Sequence, residues 1–461
     1  MDKISNKRSE TRTETDSMGA VEVPKHALWR AQTERARQNF QLSNMHFPLE
    51  FIYTLAHVKA AAADANLEAK AITKPQAEAI HAAVEVILSG QADDAFPLDI
   101  FQTGSGTSTN MNMNEVIASL AQHLGHESIH PNDHVNASQS SNDVIPTTIL
   151  VSSVLNLRQQ LLPALAHLRQ VISRKASTLT ETIKTGRTHL MDAMPLSMAQ
   201  ELHAWRTQLE HIEDGLNQAI TTASRLPQGG TAIGSGINAP KNFGERFCHF
   251  LSQRTATEFH ASDNPFAGIS GQEVNLMISG HLNALSAVLL KISNDLRWMN
   301  SGPLAGLAEI SLKALQPGSS IMPGKVNPVI PEAVAMVCAQ VAGNHQTITV
   351  AAQQGNFQLN VMLPVIAYNQ LQSIALLSNA ARALADQAIV DFTVNHDRLN
   401  EALAKNPILV TALNREIGYN KAAEIAKKAY QQQRPILDVA EEMTDIPRDK
   451  LEQLLDPKNL I

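Results

Sequence analysis

Residues 272–300 constrain the fold most. Val274, Met277, Ile278, Leu282, Leu285, Val288, Leu289, Ile292, Leu296 and Met299 recur at steps of three and four, which makes one apolar stripe on a helix. Gly302-Pro303 ends the pattern. At 1.5 Å per residue such a helix runs about 45 Å, longer than most globular helices. Between Gly271 and Ser301 only four of 31 residues are charged: Glu273, Lys291, Asp295 and Arg297. A helix so poor in charge must bury more than its stripe, so the reading is a bundle that packs against copies of itself. Helical patterns also cover 53–66, 76–88, 147–182 (kinked or split at Pro163), 197–225, 331–350 and 364–391. This predicts a mainly α chain in three parts. They are a mostly helical N-terminal domain over 1–145, frayed over 1–17, a central five-helix bundle over 146–395, and a small C-terminal helical domain over 396–461. In the last part 21 of 66 residues are charged and Pro407, Pro435, Pro447 and Pro457 cut the helices short.

Composition narrows the function. The chain has 461 residues, 44% hydrophobic and 18% charged, and a net charge of −7. No global basic field is available for nucleic acid, so an anionic ligand needs a local cationic site. Two cysteines, Cys248 and Cys338, suit neither a disulfide framework nor a thiolate-held iron–sulfur cluster, which takes about four ligands. No run of about 18 apolar residues predicts a membrane span. The polar first seventeen residues mix both charge signs, unlike a secretory or transit signal, which points to the cytoplasm.

Several segments carry chemistry. Gly318-Ser319-Ser320-Ile321-Met322-Pro323-Gly324-Lys325-Val326-Asn327-Pro328 holds two glycines and two prolines, too many for a helix or central strand. As a loop it suits a small anion: Lys325 supplies charge, Asn327 and Ser320 supply hydrogen bonds, and Ile321, Met322 and Val326 are expected to pack. Gln102-Thr103-Gly104-Ser105-Gly106-Thr107-Ser108-Thr109-Asn110 leads into a helical pattern, where exposed N–H groups favour anions or a simple cap. Ser138-Gln139-Ser140-Ser141-Asn142-Asp143 precedes Pro146; Pro146 fits a first helical turn, and Asn142 or Asp143 its cap. His130-Pro131-Asn132-Asp133 reads as a turn near a helix start. Thr185-Gly186-Arg187-Thr188-His189 lies between long helices, and histidine alone has an unperturbed pKa, about 6.5, suited to passing protons near neutrality. Pro331 places Glu332 in a first helical turn, where negative charge is favoured. Residues 226–236 form a Gly-rich link with no dinucleotide framing, and the amides of 353–360 interrupt two helices.

The 318–328 loop and the segments at 102–115, 138–143 and 185–195 together resemble the fumarase/aspartase superfamily, and within it the class II fumarases, which use neither metal nor iron–sulfur cofactor. The resemblance implies a three-domain fold whose long-helix bundle forms a tetramer core, with active sites shared between subunits. It implies reversible hydration of a dicarboxylate, fumarate, to L-malate, a step of the tricarboxylic acid cycle. Ser105, Gly106, Thr107, Ser140, Ser141, Asn142, Thr188, Ser320, Lys325, Val326 and Asn327 then bind substrate. His189 relays a proton with Glu332 as its partner, and Ser319 is the base. His130, Pro131, Asn132 and Asp133 match a secondary dicarboxylate site. Many relatives have a longer preceding segment with an arginine; here it is only Gly125-His126-Glu127-Ser128-Ile129, which predicts a weak or absent secondary site.

Chemically, loss of a proton beside a carboxylate gives an aci-carboxylate, whose charge Lys325, Asn327 and helix N-termini are expected to stabilise. Two alternatives stand beside this. An aspartate ammonia-lyase is disfavoured by His189, where aspartases generally carry glutamine, and by Gly324, where they usually carry alanine. A non-catalytic helical scaffold is disfavoured by the joint presence of Ser319, Lys325, Asn327 and His189.

Overall fold

Helices dominate the computed structural model, which describes residues 10–126 and 128–461. Among the described residues there are seventeen α-helices, and the strands pair only two by two. Helices span Leu49–Glu68, Lys74–Leu88, Met198–Ala223, Glu273–Met299, Val329–Ala352 and Leu363–Leu384, following the periodic segments closely. The 147–182 pattern is split into Ser141–Asn156 and Leu162–Ser177, with a π-helical turn at Leu157–Leu161. That turn precedes Pro163 and absorbs the backbone bond proline cannot make.

The chain divides into two compact units. One comprises the chain up to Leu161 with Asp214–Asn283 and Gln340–Leu376; the other comprises Leu162–Glu213, Ala284–Ala339 and Leu377–Ile461. In the first, Ala60, Ala61, Ala62 and Ala65 of the Leu49–Glu68 helix are fully buried, and so is Lys59 beside them. In the second, Trp205 is fully buried and its Nε1–H reaches Asp295 Oδ2 at 3.3 Å. Residues 409–455 of this unit close their own apolar cluster around Leu413, Ile425, Val439 and Leu451.

Burial of the Glu273–Met299 helix follows its stripe: Ile278, Leu282, Leu285, Leu289, Ile292, Leu296 and Met299 are buried. By length and composition alone this helix would also suffice to cross a membrane, but its stripe is packed inside the protein. Met277, expected on the stripe, is 46% exposed, and Trp298 is 52% exposed. A single chain therefore covers only part of the helix.

Two segments differ from their sequence reading. Residues 185–195 are not an irregular connection: Ile183–Thr188 and Met191–Ser197 pair as an antiparallel hairpin. Nor is the start frayed as far as residue 17, because Thr11–Asp16 pairs with Gly19–Pro24. The rest of the frayed stretch, residues 1–9, lies outside the described residues.

Candidate active site

The residues singled out from sequence fall into two groups, one in each unit. In the second unit the 318–328 segment is a closed loop. The Gly318 N–H donates to Lys325 O at 2.9 Å, and Asn327 Nδ2 donates to Gly318 O at 2.7 Å. Glycine is required at 318, since a Cβ there would sit 2.4 Å from Lys325 O. Gly324 has φ +83°, a left-handed conformation that favours glycine. Inside the loop, Ser319 Oγ accepts the Ile321 N–H at 3.2 Å and the Met322 N–H at 3.1 Å. Two backbone donors on one hydroxyl oxygen favour its negatively charged form.

The expected packing of Ile321, Met322 and Val326 does not occur within one chain: they are 83%, 48% and 47% exposed. The loop is closed by its own backbone instead of by apolar burial. Lys325, Val326 and Asn327 line a cleft of about 1090 Å³ together with Arg297, Trp298 and Glu332. Glu332 is in the first turn of the Val329–Ala352 helix, as its sequence position requires.

His189 sits at the tip of the hairpin, not in an open loop. Thr188 pairs with Met191, leaving His189 and Leu190 as the two turn residues, at φ +53° and +61°. Tight hairpins need positive φ at both central positions, and side chains that accept it there are strained. Thr188, His189 and Leu190 are exposed. Beneath them lies a buried charge cluster. Lys184 Nζ is 2.7 Å from Glu309 Oε2 and 2.9 Å from Glu201 Oε2, and Arg187 Nη1 is 2.6 Å from Glu309 Oε1. Ala308 and Ile310, which flank Glu309, line the cleft that Lys325 lines, so the cluster ties the hairpin to the cleft wall. Sequence reading assigned no role to Lys184 or Glu309. Among the described residues no hydrogen bond or ion pair joins Glu332 to His189 within one chain.

The first unit holds the other group. Gly106 is the N-cap of the Thr107–His123 helix at φ +73°, and a Cβ there would meet Ile145 at 2.9 Å. Ser105 Oγ and Thr107 Oγ1 are 2.8 Å apart. At the Ser141–Asn156 helix the cap is Ser140, not Asn142 or Asp143. Ser140 Oγ accepts the Asn142 N–H at 3.2 Å, and Asp143 Oδ1 accepts the Ser140 N–H at 2.9 Å, completing a capping box. Pro146 consequently lies beyond the first turn, inside the helix. Asp143 is fully buried, and its other oxygen accepts the N–H groups of Gly229 and Thr231 at 3.0 and 2.8 Å. Asn142 Nδ2 donates to Ala232 O at 2.8 Å, so the Gly-rich link braces this turn. Burial pushes the Asp143 carboxyl up to about 6, against the pull of these N–H groups.

At the secondary segment, His130 Nδ1 accepts the Asp133 N–H at 3.1 Å and caps a π-helical turn over Pro131–Val135. His130 and Asp133 are also 3.1 Å apart through their side chains, and both are largely exposed, as is Asn132. Of the shortened 125–129 stretch before it, Glu127 lies outside the described residues.

Known proteins match most of the chain. The family described as "Lyase" matches residues 19–343, and that described as "Fumarase C C-terminus" matches residues 409–461. A "Fumarate hydratase class II" of Xylella fastidiosa (strain 9a5c) is 56% identical over 449 residues, 97% of this chain and 95% of the relative. "Fumarate hydratase class II 2" of Pseudomonas aeruginosa is 54% identical over 452 residues, 98% of this chain and 99% of the relative. Among solved structures, a class II fumarase from Schistosoma mansoni aligns with a TM-score of 0.95 at 38% identity, covering 98% of this chain and 99% of that one.

Proposed function

The chain belongs to the class II fumarate hydratase family of lyases, and from that premise we propose where and how it hydrates fumarate reversibly to L-malate. The observation that carries the proposal is the pair of backbone N–H groups directed at Ser319 Oγ. A serine hydroxyl is a poor base in water. Donors fixed on its oxygen lower the cost of the alkoxide, and exclusion of water by a covered loop lowers it further.

In the dehydration direction, Ser319 takes a proton from the malate methylene carbon. The C–H electron pair moves into the adjacent carboxylate and gives the aci-carboxylate. That pair then re-forms as the carbon–carbon double bond while the C–O bond breaks, and hydroxide leaves as water with a proton delivered by way of His189. Lys325 and Asn327 hold the carboxylate that carries the extra charge, with Thr188, Ser320 and Val326 beside them. Ser105, Gly106 and Thr107, with Ser140, Ser141 and Asn142, bind the substrate carboxylates through hydroxyls and helix starts. Glu332 supports His189. Because these two do not meet within one chain, their pairing joins different copies.

The assembly is a homotetramer with active sites shared between subunits. The half-covered Glu273–Met299 helix and the exposed Ile321, Met322 and Val326 support this, since each is an apolar surface awaiting cover. Free, buried Cys248 and Cys338 fit a reducing cytoplasm. His130, Pro131, Asn132 and Asp133 remain the proposed secondary dicarboxylate site, weakened where His130 Nδ1 is already engaged by the Asp133 N–H.

Exchange of the malate methylene proton with solvent tests the assignment. Ser319→Ala is expected to abolish exchange while His189→Asn retains it; the reverse pattern would exchange the two roles.

A further inference from the structure

The two proposed carboxylate-binding segments of the first unit, 105–107 and 140–142, are far apart in sequence, yet a single buried polar cluster reaches both. Asn136 Oδ1 accepts three donors: Lys59 Nζ at 3.0 Å, Asn110 Nδ2 at 3.1 Å and Asn114 Nδ2 at 3.2 Å. Lys59 Nζ also donates to Gln139 Oε1 at 3.0 Å, one residue before the Ser140 cap. Asn110 lies in the first turn of the helix that Gly106 caps, and its Nδ2 donates to Ser141 Oγ at 3.1 Å. Lys59, Asn110 and Asn114 are fully buried.

A buried ammonium held by two neutral amide oxygens, with the buried Asp143 carboxylate as the opposite charge acting on it, is an expensive way to fill space. Attraction between two buried charges offsets their loss of hydration only in part, and an apolar side chain of similar size packs at least as well. Among the described residues Asn110 Oδ1 and Asn114 Oδ1 have no hydrogen-bond partner, so the amides are not arranged to maximise their own bonding either. What the cluster does achieve is a fixed spacing. Asn136 is the shared acceptor that holds the start of one helix against the start of the other.

We propose that Lys59, Asn136 and Asn110 are positioning residues for substrate carboxylate binding: they set the distance and angle between the Ser105–Gly106–Thr107 turn and the Ser140–Ser141–Asn142 turn. This rests on the reading of those turns as substrate segments. Lys59 touches no substrate. It fixes Asn136 and Gln139.

The test uses the full-length protein and steady-state kinetics with L-malate and with fumarate. Lys59→Met and Asn136→Ala are each expected to raise KM about five- to tenfold, the effect of one to two lost hydrogen bonds, with kcat within about twofold of the parent. Asn136→Asp keeps an acceptor oxygen for the three donors and is expected to restore most of the parent KM. A merely structural cluster gives another pattern: kcat falls in step with melting temperature, KM stays put, and Asn136→Asp rescues nothing; that result overturns the proposal. If Lys59→Met yields no soluble protein, the two Asn136 variants decide alone. Ser141→Ala separates the layers. If it raises KM while the Lys59 and Asn136 variants do not, the positioning role is wrong; if it leaves KM unchanged, the substrate segment itself is misread.

Discussion

Arg187 and Glu309 meet at 2.6 Å beneath the hairpin that carries His189, and Lys184 meets the other oxygen of the same carboxylate at 2.7 Å. Lys184 and Glu309 are nearly inaccessible to water. Removing Glu309 leaves Arg187 without its ion-pair partner and Lys184 with Glu201 alone. Glu309→Ala is therefore expected to destabilise the fold by about 2–4 kcal/mol, toward the lower end of the cost of breaking a buried pair, read from denaturant unfolding monitored at the tryptophans. A loss under 1 kcal/mol would mean that the cluster is hydrated and does not brace the hairpin.

Ser319→Ala removes the oxygen on which the Ile321 and Met322 N–H groups converge. If that oxygen is the base, kcat for malate dehydration drops about 10²- to 10⁴-fold with little change in KM. Because the loop is also closed by the Gly318–Lys325 and Asn327–Gly318 bonds, its fold is expected to survive, and the melting temperature should stay near that of the parent.

Gly106→Ala meets two obstacles. The residue sits at φ +73°, and the new Cβ would lie 2.9 Å from Ile145. Left-handed strain costs roughly 1 kcal/mol and overpacking about 1–3 kcal/mol more. The variant should be less stable and should show a higher KM for both substrates, since the displaced turn is the one proposed to bind a carboxylate. Unchanged KM in a stable variant would remove Gly106 from the site.

Burial pushes the Lys59 ammonium down to about 7, from an ordinary value of 10.5. Between those two values the unfolded chain binds more protons at this position than the folded chain does. Stability contributed by Lys59 therefore rises with pH through that window. Comparing the parent with Lys59→Met at several pH values, the difference in melting temperature should move in favour of the parent from pH 7 to pH 9. A difference that does not change with pH would mean that Lys59 keeps its proton throughout.

The helices could be read from sequence because their apolar residues repeat at three and four. Ile278, Leu282, Leu285 and Leu289 are buried where that spacing puts them. The hairpins could not be read in the same way. Thr11–Asp16 alternates hydroxyls with charges and has no apolar face. Ile183–Thr188 and Met191–Ser197 include Gly186 and Pro195, and their turn is His189-Leu190 instead of the Asn-Gly that usually signals one. Two glycines and two prolines make the stretch around Lys325 legible as a loop, but the packing expected of Ile321, Met322 and Val326 is absent within one chain, because residue types alone do not say what covers an apolar side chain in a loop. Asp143 reads from sequence as a candidate cap; in the structure it completes the capping box of Ser140 and also joins that turn to Gly229, 86 residues on, and to Thr231. Lys59 did leave a signal: a lone charge inside Val58-Lys59-Ala60-Ala61-Ala62-Ala63, on a face that has to be buried.

The most direct measurement follows the ultraviolet absorbance of the conjugated double bond after purified protein is added to L-malate, and in parallel to L-aspartate. A rise on L-malate alone, reversed on adding protein to fumarate in water and abolished by Lys325→Met, is the expected result. A rise on L-aspartate, or none on either acid from a folded protein, would contradict it.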